Sequence, residues 1–252
     1  MQLGLTPDTR WETDVHTFVE AAHRAGFSTL GIHSGLIDTQ APAAFASMGL
    51  GCHELLGIVV SDDVSATMTW AKRLVDEAAA MNARWVSTTF AAPLTDDTAA
   101  LVARCAAMFA EVGSGMAIES SPLGPVPTIQ AGLDMVLVAG VERAGLVIDS
   151  WNFALSDDTW NDLAEVPLER IAYLQFADAL YPATTDRMNE ALNRRAMPGD
   201  GVLELERFTS TLRQRGYDGV VSVQVLSAEL RRLPLAAFAR LAYDAAARYW
   251  ID

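Results

Sequence analysis

The sequence predicts a single (β/α)8 barrel. Three observations carry that expectation. Eight short apolar runs alternate with longer amphipathic ones, and 252 residues is the length such a barrel occupies. The first strand-to-helix turn, Leu5-Thr6-Pro7-Asp8, also lacks the G-x-G-x-x-G fingerprint common in the rival architecture, an open doubly wound sheet. In order, the runs expected as strands are Gln2–Leu5, Thr29–His33, His53–Val60, Trp85–Thr89, Met116–Glu119, Gly145–Asp149, Ile171–Phe176 and Gly219–Val225. The helical patterns between them include Val15–Ala25, Ala66–Met81, Thr98–Val112, Thr128–Ala139, Leu205–Arg215 and Pro234–Tyr249, where apolar residues recur at three- and four-residue intervals. Gly26, Gly113, Gly140 and Gly216 stand just past four of these, where a helix commonly ends in a left-handed residue. No Pro-, Ser- or Gly-rich stretch and no charge block interrupts the pattern, so residues 1–252 are read as one domain.

Composition narrows the function. At 51% hydrophobic residues the chain can bury a large core, and its net charge of −14 repels nucleic-acid phosphates and anionic lipid. Neither a nucleic-acid nor a membrane partner is expected. Cys52 and Cys105 are far apart and show no metal-like spacing, which fits a reducing compartment. The N-terminal residues lack a basic region followed by an apolar stretch, and no run approaches a membrane span, so a cytoplasmic location is expected. Lys72, the only lysine, lies in a helical pattern, which disfavours Schiff-base chemistry at a strand end. The histidines at 16, 23, 33 and 53 show no zinc spacing, so a metal site would need oxygen ligands.

In a barrel the chemistry sits where the strands end. Glu119 closes the fifth run and Asp149 the sixth, while Gln175 and Gln224 place amides inside the apolar seventh and eighth. Two carboxylates and two amide oxygens converging on one face have the hardness to hold Mg or Mn. Each has an ordinary alternative: a carboxylate at a strand end also caps the next helix, and a buried Gln also bonds a neighbouring strand. The connection from about Leu180 to Asn193 is long enough to cover a substrate, and the turn after Arg195, Met197-Pro198-Gly199-Asp200-Gly201, can aim that guanidinium at hydroxyl or carboxylate oxygens. His33, at its strand's C-terminal end, can face the site; His53, near its strand's start, reads as structural. Trp151 and Phe153 read equally as core and as sugar-stacking platforms.

At these motifs the chain resembles the xylose-isomerase-like TIM-barrel superfamily, which contains sugar phosphate isomerase/epimerases, ketose 3-epimerases, inosose dehydratases and endonuclease IV. The likeness is carried by Ala117-Ile118-Glu119-Ser120-Ser121-Pro122, Gly145 to Asn152, Tyr173 to Ala179, Arg195 to Gly201 and Gly216 to Ser227. It implies a divalent metal held by Glu119, Asp149, Gln175 and the residue at 224, with Arg195 in the R-x-x-P-G-x-G turn contacting substrate. Two positions depart from the pattern. Gln224 stands where relatives carry Glu, and Asn152 stands where they carry a His that contacts substrate oxygens.

Gln224 can neither remove nor return a proton, so two-base epimerisation is disfavoured. The first expectation is therefore an isomerase- or lyase-type enzyme acting on a sugar, inositol or related polyhydroxylated carbonyl compound. Glu119 would be the base; Asp149, Gln175 and Gln224 would surround a Mn or Mg ion with it; Arg195, His33, Asn152 and Trp151 would contact a small-molecule substrate. Aldose–ketose isomerisation and dehydration both suit a single base. The alternative is a barrel with a degenerate metal site, working as a binding or regulatory protein or as a metal-free enzyme on a less polar substrate. Endonuclease-type repair is remote given the charge and the scattered histidines. Barrel helices commonly pair subunits, so a homo-oligomer is compatible with the sequence.

Overall fold

A computed structural model describes residues 1–251. Eight parallel strands close into a barrel: β1 (Gln2–Leu5), β2 (Thr29–His33), β3 (Gly51–Val60), β4 (Trp85–Phe90), β5 (Gly115–Glu119), β6 (Ala144–Asp149), β7 (Ile171–Phe176) and β8 (Val220–Val223). Each pairs with its neighbours in sequence, and Leu3 opposite Val221 closes β1 onto β8. The helices outside are α1 (Val15–Ala25), α2 (Ala41–Ser47), α3 (Val64–Met81), α4 (Asp96–Glu111), α5 (Ile129–Ala139), α6 (Ser150–Leu155), α7 (Trp160–Glu165), α8 (Arg187–Asn193), α9 (Leu205–Gln214) and α10 (Leu235–Trp250). The (β/α)8 expectation holds, and all eight expected strands form, with ends that move by at most two residues. No helix among the described residues is long and apolar enough to cross a membrane.

Local chemistry explains the helix ends. Asp14, Thr95 and Thr128 each accept a hydrogen bond from the backbone N–H three residues on, so α4 begins at Asp96 and α5 begins after its Thr128 cap. Gly26 closes α1 at φ 111°, a conformation that a side chain would strain. The main core lies between strands and helices, where Phe18, Phe109, Phe208, Phe238 and Trp250 are fully or almost fully buried. Each such side chain contributes about 1.5–3 kcal/mol over an exposed one. All six residues of β6 are buried because helices cover one face and the barrel lumen the other.

Two irregularities shape the site. Between β2 and β3 the register slips: Leu30 faces Cys52, and Gly31 faces Glu54. The extra residue, His53, bulges the strand so that His53 and Glu54 both contact Tyr173, by ring edge at 5.4 Å and by carboxylate at 2.6 Å. The second is the connection after β7. Its ends pair as a short antiparallel ribbon, Asp178–Ala179 with Arg195–Ala196, and the segment expected as a continuous loop contains α8. Asp186 caps that helix, and buried Glu190 accepts from the backbone of Ala183 and Thr184 while pairing with Arg194.

Candidate active site

Glu119 ends β5 and Asp149 ends β6, so both carboxylates reach the rim that the sequence pointed to. Asp149 is committed on both oxygens. Oδ1 accepts from the Trp151 N–H at 2.7 Å, capping α6, and Oδ2 accepts from Arg195 Nη1 at 2.6 Å. Arg195 comes from the ribbon, donates Nε to Ala191 O at 3.0 Å and lays its guanidinium 5.0 Å from the Trp151 ring. The cap also starts α6 so that Asn152 faces back toward β5, where its Nδ2 donates to Glu119 Oε1 at 2.9 Å. Burial pushes the Glu119 carboxyl up to about 7, reinforced by the charge of Asp149 and, less, of Glu54; Arg195 and the Asn152 hydrogen bond pull the other way.

Beneath this rim the barrel lumen is polar. Glu54, fully buried, accepts from Tyr173 Oη at 2.6 Å and from Thr6 Oγ1 at 2.7 Å, and Gln175 Nε2 lies 3.5 Å away. Burial raises the Glu54 carboxyl, opposed by these donors and by Ser87. Ser222 Oγ sits 2.7 Å from Thr6 Oγ1, extending the network. Sequence reasoning missed Glu54 because alternation along β3 allows only one of His53 and Glu54 to face inward; a charged residue inside an apolar run was the available signal.

The turn that carries Arg195 is held from below. Asp178 accepts from the backbone N–H groups of Ala179, Gly199, Gly201 and Leu203 at 2.8–3.1 Å. Gly199 has φ 91°, and a Cβ at Gly201 would collide with Ala179 O and the Asp178 carboxylate, so both glycines are required. On the far side Asp8 pairs with Arg10 and Arg231, and both arginines donate to Asn193 at the end of α8.

A cavity of about 360 Å³ opens at the rim, and its wall includes Glu119, Asn152, Arg195 and Gln224. The other residues singled out lie elsewhere. Asp149 and Gln175 are behind the wall; Trp151 backs Arg195 and lines a separate cavity beside α8; His33 accepts from the Gly35 N–H and caps a short turn. Phe153 packs in the core against Trp160 and Phe208.

An eight-stranded parallel barrel closed by helices between its strands defines a TIM barrel, and its candidate site lies where the strands end. Residues 12–243 match the family described as Xylose isomerase-like TIM barrel, and the chain belongs to that family. It is 30% identical over 142 residues to the 3-dehydroshikimate dehydratase of Pseudomonas aeruginosa, covering 56% of this chain and 22% of that protein. It is 29% identical over 115 residues to the inosose isomerase of Halalkalibacterium halodurans, covering 44% and 39% respectively. The matches thus span less than half the length of either relative. Among solved structures, the IOLI protein with a bound zinc atom superposes over 100% of both chains with TM-score 0.84 at 17% identity. D-Psicose 3-epimerase from Clostridium cellulolyticum H10 does so over 99% of both with TM-score 0.75 at 14% identity. At these identities the superpositions show the shared fold.

The family resemblance implies a divalent metal at the rim, and the side chains present do not fit one. A hard dication is held most tightly where carboxylates carry opposing charge, whereas Asp149 is already paired with Arg195 and capping a helix. Positions 175 and 224 offer only amides, and among the described residues no three His, Cys, Asp or Glu side chains lie where they could hold a metal ion. Gln175 Oε1, buried without a hydrogen-bond partner, is a single uncharged ligand atom.

Proposed function

We propose that the chain is an isomerase- or lyase-type enzyme that moves a proton α to the carbonyl of a hydroxy-carbonyl compound, with Glu119 as its single acid–base group. The observation that carries this reading is the Glu119 carboxyl: it stands in a cavity wall, oriented by Asn152 and poised near neutral pH by burial. As carboxylate, Glu119 takes the α-proton. The electron pair moves toward the carbonyl oxygen, where the free Nη2 of Arg195 and the Gln224 amide are the donors at hand. Protonated Glu119 then returns the proton to the former carbonyl carbon while the α-hydroxyl proton passes to the former carbonyl oxygen, giving isomerisation, or delivers it to a β-hydroxyl that departs as water when the enolate electron pair forms the C=C bond, giving dehydration. Gln224 supplies no second base for inversion at one carbon. The dehydratase and isomerase among the relatives support both outcomes of this single-base scheme.

The test is solvent deuterium. Hydroxy ketones incubated with the protein in D2O should acquire label α to the carbonyl, read by NMR, and Glu119→Gln should abolish the incorporation. Label gained equally by the variant would remove Glu119 from the chemistry. Ligand binding without any incorporation would favour the second reading, a binding protein, which the substitutions at 152 and 224 support.

A further inference from the structure

The cavity that Glu119 enters is lined unevenly, and that unevenness speaks to the substrate. Arg195 is the only cation among the described residues of its wall, and its charge is matched by Asp149 at 2.6 Å. The other arginines nearby are engaged elsewhere: Arg194 pairs with Glu190, and Arg10 and Arg231 share Asp8, all outside this wall. With Glu119 beside it and a chain of net charge −14, the site offers a carboxylate or phosphate no unmatched positive charge. A substrate's hydroxyl or carbonyl oxygen, by contrast, finds the Arg195 Nη2 donor and the amides of Asn152 and Gln224.

Apart from these groups and the Thr89 and Ser121 hydroxyls, the side-chain lining is apolar. Helix α8 contributes Met188, Ala191 and Leu192, and the connections after β5 and β8 contribute Leu123, Val126 and Leu226. Met188 is 51% exposed and Leu192 39% exposed, so apolar groups stand wet in this wall, while the polar Asn152, Arg195 and Gln224 are buried. A ligand with an apolar part removes that surface from water, whereas one bearing hydroxyls all round loses hydration against it.

We propose that the site selects an uncharged hydroxy ketone of single-ring size with one apolar face or substituent, its hydroxycarbonyl end on Glu119, Asn152 and Arg195 and its apolar end under Met188 and Leu192. This assignment of substrate class rests on the proton-transfer reading above and separates the chain from its dehydratase relative, whose named substrate carries a carboxylate.

Three six-membered ring ketones isolate the two features: 2-hydroxycyclohexanone, neutral with an apolar face; scyllo-inosose, neutral and hydroxylated throughout; and 3-dehydroshikimate, anionic. In calorimetric titrations 2-hydroxycyclohexanone should bind at least about tenfold more tightly than either of the others. Equal or tighter binding of scyllo-inosose or 3-dehydroshikimate, or binding of none, would overturn the assignment. Met188→Lys, at an exposed position where folding is not at stake, should raise 3-dehydroshikimate affinity about tenfold and weaken 2-hydroxycyclohexanone; unchanged affinities would refute the role given to the α8 face. Deuterium exchange separates the two hypotheses. Glu119-dependent exchange into tightly bound 3-dehydroshikimate would sustain the chemistry and overturn the substrate class. Preferential binding of 2-hydroxycyclohexanone without exchange would do the reverse.

Discussion

Replacing Glu119 by Gln tests the site through stability as well as turnover. In the folded chain the carboxyl is held at about 7 against an ordinary 4.5, a displacement that corresponds to about 3 kcal/mol. The sign follows from proton counting. Between pH 4.5 and 7 the folded protein holds a proton that the unfolded chain has released, so the contribution of Glu119 to stability falls as pH rises through this window and stays low above it. Gln keeps an oxygen for the Asn152 amide and cannot ionise. Urea unfolding at pH 5 should therefore find the two proteins close, while at pH 8 the variant should be more stable by up to about 3 kcal/mol, although unable to exchange an α-proton. The wild-type exchange rate should in turn rise with pH through about 7 and level off, as a base requires. If the variant shows the same stability difference at both pH values, or is less stable at pH 8, Glu119 is not held protonated by burial and the poised-base argument fails.

Arg195→Ala leaves Asp149 buried without its cation and should cost about 3–5 kcal/mol in urea unfolding, with part regained by adding Asp149→Asn. A loss below about 1 kcal/mol would mean that solvent screens the pair. Asp178→Ala strands four backbone N–H groups beneath the Arg195 turn; a loss of about 2–4 kcal/mol is expected, together with lower activity, and retention of both would show that the turn holds itself. Elemental analysis of protein purified without chelator should find no stoichiometric divalent metal, and thermal shift should show no stabilisation by added Mn. Gln224→Glu, which supplies a third carboxylate, should create a measurable Mn response. One equivalent of metal in the wild type would overturn the reading of the donor set.

The strand–helix alternation was legible because barrel strands are short and buried on both sides, which leaves apolar runs that turns and helix caps delimit. The rim was legible for the same geometric reason: a polar residue at the end of such a run, Glu119 or Asp149, has one place to go. What each carboxylate does there was not. Asp149 reads from sequence equally as helix cap and as ligand, and the structure shows the cap together with the Arg195 pair, a contact between residues 46 positions apart that no local pattern encodes. Glu54 stayed hidden because a one-residue bulge at His53 resets the inward face of β3, and bulges leave no periodic trace. The helix inside the Leu180–Asn193 connection was obscured by its shortness, since seven residues hold too few turns to establish a period.

The attachment of Arg195 ties α8 to the acids of the site. The arginine follows α8 almost directly and clasps it through Ala191 O, while its other end grips Asp149 behind the wall. Loss of the Arg195–Asp149 pair would leave an uncompensated carboxylate beside Glu119 and raise that group further, so the seating of α8 and the charge of Glu119 are tied through one side chain.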